Sequence, residues 1–381
     1  MPRRVWSLTA TALAALIVGS TANLIHIGGA AAATKPPPSA ASEYSRQWNL
    51  RAIDAESAWS DGLLGSRGVA VAVLDTGIDS NHPDLAGLVD TERSKSLLGS
   101  TCLPADPGTP SPTTENDVAT DMGLPKYTDF HGHGTAVSGL VSSNAVVLAG
   151  VTQRTKLIAV KVHGRNRMNC LSIYIEAIKY AANAGADVIH MSFPLEFSNA
   201  AFPGARERID AATTYAYEKG ALLVAAAGNA SQDLDGDPDR VRFCMAAHVI
   251  CVSATGPDDL PADYTNFGSP IDVAGPGGTG TFPNQVDPVW LDCSRVSLIT
   301  APTQAPSQCQ TEPRLIWAST GTSFGAAATS GLLALLVELV GKNHPDEVEA
   351  VLRNSAEDLA DPDFYGSGLI NVEAAVNLAT R

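Results

Sequence analysis

The chain has 381 residues, 45% of them hydrophobic and only 6% aromatic, with a formal net charge of −15 at pH 7. Such a chain can bury a large core of Ala, Val, Leu and Ile, and this length is routine for one α/β domain. The acidic balance argues against nucleic acid or an anionic membrane as the main partner.

Arg3 and Arg4 precede an apolar run reaching Gly29, and Ala30 to Ala33 supply the small residues that a signal peptidase accepts. Residues 1–33 read as an export signal, which puts the mature protein outside the cytoplasm, secreted or at the cell envelope. An uncleaved anchor is the rival reading, because residues 7–29 approach the length of a membrane span. Membrane contact is expected only in that case. Residues 34–43 are a Pro/Ser/Ala linker, and a catalytic unit is expected over 44–381. Six cysteines, Cys102, Cys170, Cys244, Cys251, Cys293 and Cys309, fit an exported protein with disulfides. Cys244 and Cys251 flank one short segment, and Cys293 and Cys309 share one irregular segment. These two pairs are expected, which leaves Cys102 with Cys170.

Residues 47–59 have the pattern of a packed amphipathic entry segment. A continuous apolar run over 68–74 then closes on Asp75-Thr76-Gly77, as a buried parallel strand does. Residues 86–128 are rich in Pro, Ser, Thr and Asp and read as a surface excursion, followed by a loop running into a helix of small residues over 129–141. Further strands are expected at 156–162, 187–192, 221–227, 248–253 and 271–274, with helices at 171–184 and 206–219. The alternation predicts an α/β fold of three layers, a mostly parallel central sheet with helices on both faces. Ligands of such sheets sit beyond the carboxyl ends of the strands, where Asp75 and Asn229 both lie. Residues 275–313 form a second insertion, rich in Gly, Pro and Cys. Gly321-Thr322 then deliver Ser323 to the start of an apolar helix, whose unpaired N–H groups and positive dipole end favour an oxyanion.

Acyl transfer by serine needs a hydroxyl, a base, a carboxylate to orient the base and donors for the oxyanion. The candidates stand in the order Asp75, His133, Ser323, with Asn229 before the serine. His131 serves as base equally well on chemistry alone.

The segments Val73-Leu74-Asp75-Thr76-Gly77, His133-Gly134-Thr135, Ala225-Ala226-Ala227-Gly228-Asn229, Gly321-Thr322-Ser323 and Tyr365-Gly366-x-Gly368-Leu369-Ile370-Asn371 resemble the subtilisin-type serine proteases, in that family's Asp…His…Ser order. The resemblance implies a subtilisin-like fold, His133 rather than His131 as base, and an oxyanion hole made by the Asn229 side chain and the Ser323 N–H. It implies an exported endopeptidase acting on protein or peptide, with a substrate cleft from Met191, Ser192, Phe193 and Pro194 on one side and Ala226, Ala227 and Gly228 on the other. No cofactor is implied for catalysis. Asp84 matches a family calcium-ligand position, so a structural calcium is compatible with the pattern, although the loop over 142–148 lacks a clear ligand set. The oligomeric state is left open.

The departures are specific. Phe324, Gly325, Ala327 and Ala328 replace the family's Met, Ala, Pro and His, and His190-Met191-Ser192-Phe193-Pro194 replaces Asn-Met-Ser-Leu-Gly. Pro194 has no N–H, so a backbone bond to an extended substrate is expected to be lost there. The short stretch before the catalytic unit leaves no room for a folded pro-region and, with His133-Gly134-Thr135-Ala136-Val137, resembles the mycosin group of actinobacterial subtilases. A catalytically weak scaffold that keeps the fold for partner binding is the alternative. An α/β-hydrolase esterase fails on motif order, because Asp75 and His133 precede the serine.

Overall fold

Every strand marked by an apolar run joins one parallel sheet. The computed structural model describes residues 36–103, 106, 113–165, 169–193, 195–281, 284–296 and 315–381. In chain order the strands are β1 (Ala70–Asp75), β2 (Lys95–Ser96), β3 (Lys156–Lys161), β4 (Val188–Met191), β5 (Glu196–Ser198), β6 (Leu222–Ala226), β7 (Arg240–Arg242), β8 (Val249–Thr255), β9 (Val273–Pro276), β10 (Val289–Asp292) and β11 (Ile316–Ser319). Seven of them form the central sheet, ordered β2-β3-β1-β4-β6-β8-β9, with every pairing parallel. The helices that matter for the site are α1 (Trp48–Ala52), α2 (Ala55–Ser60), α3 (Thr114–Asp121), α4 (His133–Val141), α5 (Leu171–Asn183), α6 (Ala205–Glu218) and α7 (Thr322–Val340).

The continuous apolar runs follow from burial on both faces of the sheet. Val71 and Val73 of β1 join one core with α2, α4 and α7, whereas Ala70, Ala72 and Leu74 join the other with α5 and α6. Leu222 and Val224 of β6 face the first core, and Leu223 and Ala225 face the second. Helix α7 has the length and hydropathy of a membrane span, but from Thr322 to Val337 it is buried within the domain.

Three expectations about loops change. Residues 38–43, read as linker, are folded: Pro38–Ala40 is a 3₁₀ turn, Ala41 is buried, and Ser42 and Glu43 donate their N–H groups to Val146 and Val147 carbonyls at 3.2 and 2.9 Å. The excursion over 86–128 contributes β2 and α3, and it buries Leu88, Val89, Leu97 and Leu98. The second insertion supplies β10, which pairs antiparallel with β11. Elements this short carry too few residues to show a period, so their composition read as loop.

Cys102 bonds Cys170 and Cys244 bonds Cys251, with Cα atoms 5.9 and 4.8 Å apart. The expected Cys293–Cys309 pair and the export signal at 1–33 involve positions outside the described residues.

Candidate active site

The carboxyl end of β1 sets the geometry. Asp75 is its last residue and is fully buried. The chain then turns at Gly77, whose φ of +111° and missing Cβ are both required, since a Cβ would lie 2.3 Å from the Tyr127 carbonyl oxygen. Gly134 of α4 packs onto that turn, its own Cβ position only 2.1 Å from the Gly77 oxygen. This backbone contact brings the first residue of α4 over the end of β1.

That residue is His133. Its Nδ1 lies 2.9 Å from both Asp75 oxygens, while its side chain stays 21% exposed toward the cleft. His131 is placed differently: its Nδ1 accepts the His133 backbone N–H at 3.3 Å. Asp129, buried just upstream, holds the loop. One of its oxygens accepts from Thr76 Oγ1, His131 N–H and Gly132 N–H at 2.9, 2.9 and 2.8 Å, and the other caps α4 through Thr135 N–H and Oγ1 at 2.9 and 2.7 Å. Sequence reading passed over Asp129 and Thr76; their signal was a carboxylate and a hydroxyl beside each motif.

Burial by itself would raise the Asp75 pKa. The charge and hydrogen bond of His133, with His163 and the Thr76 N–H, outweigh it and hold the carboxyl well below the usual range. Burial likewise pulls His133 down, but the Asp75 charge and hydrogen bond, helped by Asp129, raise it above the ordinary 6.5. His163, on the cleft wall, is pushed down to about 4 by burial and carries no charge at neutral pH.

Ser323 is the second residue of α7, where first-turn N–H groups lack intrahelical partners. Its Oγ donates to the Ser192 carbonyl at 3.3 Å. Asn229 follows β6, and its Oδ1 accepts from both Thr322 N–H and Thr322 Oγ1, at 2.9 and 2.8 Å. That leaves the Asn229 Nδ2 donor for the cleft. His133, Ser323 and Asn229 line one cavity of about 440 Å³ together with Ser192, Phe193 and Gly228.

The remaining cleft expectations divide. Ser192, Phe193, Ala226 and Gly228 line this cavity; Ala227 lines a smaller adjoining recess; Met191 points into the core; Pro194 lies outside the described residues. The departures after Ser323 also find places. Phe324 is a core residue whose ring lies 6.2 Å from the His133 ring, so it backs the histidine and does not line the cleft. Gly325 lies against Gly275 of β9, where a Cβ would sit 2.8 Å from the Gly275 oxygen.

Asp84, His82 and Asp292 form a buried group whose ligand-type atoms lie within 4.8 Å of one another. The donors around Asp84 do not suit a cation. Its oxygens accept from the N–H groups of Val146, Val147 and Leu148 at 2.6 to 3.2 Å, and the Val146 and Val147 carbonyls face the chain at Ser42 and Glu43 instead. Asp292 is raised well above the carboxylate range, by burial first and then by the adjacent Asp84.

A parallel α/β sheet with a carboxylate, a histidine and a serine beyond its strand ends has the architecture of a serine hydrolase. Residues 66–368 match the subtilase family (Peptidase S8), and the chain belongs to it: it is a subtilisin-type serine endopeptidase. It is 28% identical over 330 residues to subtilisin BL of Lederbergia lenta, covering 86% of this chain and 97% of the relative. It is 27% identical over 337 residues to thermitase of Thermoactinomyces vulgaris, covering 87% and 96%. Its fold is similar to that of the epidermin leader peptide processing serine protease of Staphylococcus aureus, with TM-score 0.70, 24% identity, and coverage of 90% of this chain and 82% of that one. The nisin leader peptidase of Lactococcus lactis superposes with TM-score 0.69 at 21% identity, covering 88% and 94%.

Proposed function

We propose that the protein is an exported serine endopeptidase that cleaves peptide bonds through an acyl-enzyme formed on Ser323. The observation that carries this reading is the His133 Nδ1 placed 2.9 Å from both oxygens of a buried Asp75, with Ser323 and Asn229 on the same cleft. His133 Nε2 takes the Ser323 proton as Oγ attacks the carbonyl carbon, and it returns the proton to the leaving amine. Water then attacks the acyl-enzyme by the same route. Asp75 keeps the ring in the Nδ1–H tautomer and stabilises the imidazolium. The Asn229 Nδ2 and the Ser323 N–H receive the oxyanion. In the free site the Ser323 hydroxyl bonds the Ser192 carbonyl, and such sites tighten when substrate binds.

The reaction needs no cofactor. We read Asp84 as a structural anchor of the 146–148 loop rather than a calcium ligand, because backbone N–H groups surround its oxygens. Export is supported by the Arg-led apolar N-terminus and by the two disulfides.

The test compares wild type with Ser323→Ala on casein and a peptide library, with fluorophosphonate labelling. Turnover and labelling are expected in wild type alone. Equal labelling of the mutant would remove Ser323 as nucleophile, and a folded wild type without turnover would favour the scaffold reading.

A further inference from the structure

Of the buried histidines that the reaction leaves unused, His190 is bonded to a hydroxyl that reaches Asp75. His190 is fully buried on β4, at the position where the family resemblance puts asparagine. Its Nε2 lies 2.8 Å from Ser192 Oγ, and its Nδ1 lies 3.0 Å from Ser330 Oγ on α7. Ser192 Oγ is in turn 3.2 Å from Asp75 Oδ2, and Ser330 Oγ is 2.9 Å from the Ala326 carbonyl oxygen. A row of hydrogen-bonding groups therefore runs from α7 through His190 and Ser192 to the carboxylate that holds His133.

Each hydroxyl has one proton and two acceptors, so the proton on the ring decides the direction of the whole row. Burial first, and then the nearby His133, push the His190 pKa down to about 4, so the ring is neutral. With the proton on Nδ1, His190 donates to Ser330, Ser330 to Ala326, and Ser192 to Nε2; Asp75 receives nothing from Ser192. With the proton on Nε2, Ser330 donates to Nδ1, Nε2–H to Ser192, and Ser192 to Asp75. Within the row each pattern makes three hydrogen bonds, and the Ala326 carbonyl also faces the ring as a neutral acceptor. The patterns differ in whether the last acceptor is a neutral carbonyl or a buried carboxylate. A bond to an ionised acceptor is roughly twice as strong, so the carboxylate selects the second pattern.

We propose that His190, in its Nε2–H form, is a positioning residue that turns the Ser192 hydroxyl onto Asp75. The extra donor fixes the carboxylate and spreads its charge, which limits how strongly it attracts the His133 imidazolium. Asp75 then has donors from the turn after β1 (Thr76 N–H), from α4 (His133) and from the residue after β4 (Ser192). The titratable groups facing this arrangement are Asp75, His133, His131, Asp129 and His163, and His163 is neutral at working pH.

The inference rests on the reading of Asp75 and His133 as orienting acid and base, and its tests include one that needs no turnover. In the full-length Ser323→Ala protein, ¹⁵N NMR of labelled histidines is expected to show His190 protonated on Nε2; a proton on Nδ1 overturns the proposal. His190→Leu in the same background is expected to raise the His133 pKa, and in the active enzyme to move the acid limb of kcat/KM up by roughly 0.5–1 pH unit, with kcat/KM falling about five- to tenfold. His190→Asn keeps an amide donor and is expected to leave the limb in place. Ser192→Ala removes the last donor while keeping His190, and it is expected to reproduce the His190→Leu shift if that variant does not fold. A loss of activity with the acid limb and the His133 titration unmoved in both variants overturns the proposal.

Discussion

The Asn229 side chain is oriented by Thr322, whose N–H and Oγ1 both reach its Oδ1, at 2.9 and 2.8 Å. The residue before the candidate nucleophile therefore aims the candidate oxyanion donor, and one turn of α7 controls both. Asn229→Leu is expected to lower kcat by about 10²–10³, the size found for such a donor in subtilisin, with KM little changed. Thr322→Val removes the aiming hydroxyl, which also accepts the Gly228 N–H at 3.1 Å, and is expected to cost about tenfold. A larger effect from Thr322→Val than from Asn229→Leu on initial rates would contradict this order.

In the proposed mechanism the Asp75–His133 pair sets the pH dependence. His133 is raised, so kcat/KM is expected to fall as pH drops through a value above the ordinary 6.5. Asp75→Asn removes the charge that opposes burial, lowers the His133 pKa and costs about 10⁴ in kcat, as in the chymotrypsin-type triad. The stability signs are opposite for the two partners. A raised histidine stabilises fully below its unfolded pKa and loses this as pH rises through the folded value. A depressed carboxyl stabilises above its unfolded pKa and loses this as pH falls through the folded value. The pair's contribution therefore peaks between about pH 4 and 6.5. Thermal unfolding of Ser323→Ala with and without Asp75→Asn measures it; a difference flat across pH refutes the assignment.

Asp292 carries the reverse sign. Its carboxyl is raised in the fold, so the folded protein keeps a proton that the unfolded chain releases above about pH 3.9. Stability falls as pH rises through that window. Asp292→Asn stays neutral, so its advantage in Tm over wild type is expected to grow from pH 4 toward neutrality. A constant difference would show that Asp292 is ionised in the fold.

Chelation tests Asp84. With its oxygens occupied by the N–H groups of Val146, Val147 and Leu148, EDTA is expected to leave Tm unchanged. Loss of an ion at a hundredfold saturation would cost about 2.7 kcal/mol. Asp84→Ala strands several buried N–H groups and is expected to cost about 3 kcal/mol.

Gly325 stands where the family resemblance puts alanine. Gly325→Ala is nevertheless expected to destabilise this chain by about 1–3 kcal/mol, because the new Cβ would press on the Gly275 backbone. A Tm equal to or above that of wild type would show that α7 and β9 can part without strain.

Some of this was legible in the chain alone. The strands ending at Asp75 and Ala226 showed as apolar runs because both faces of the sheet are covered, and that burial is a property of composition. The motifs named the candidate acid, base, nucleophile and oxyanion donor by residue type and order. The short strands β2, β5 and β7 did not show, since two or three residues carry no period. Nor did the choice between His131 and His133 follow from their chemistry, which is the same. Tertiary structure separates them through the close approach of Gly134 to Gly77, which puts His133 on Asp75 and leaves His131 bonded to the His133 N–H. It likewise turned Phe324 into core and His190 toward Ser192, because which groups meet across strands and helices depends on packing at distances that local sequence does not encode.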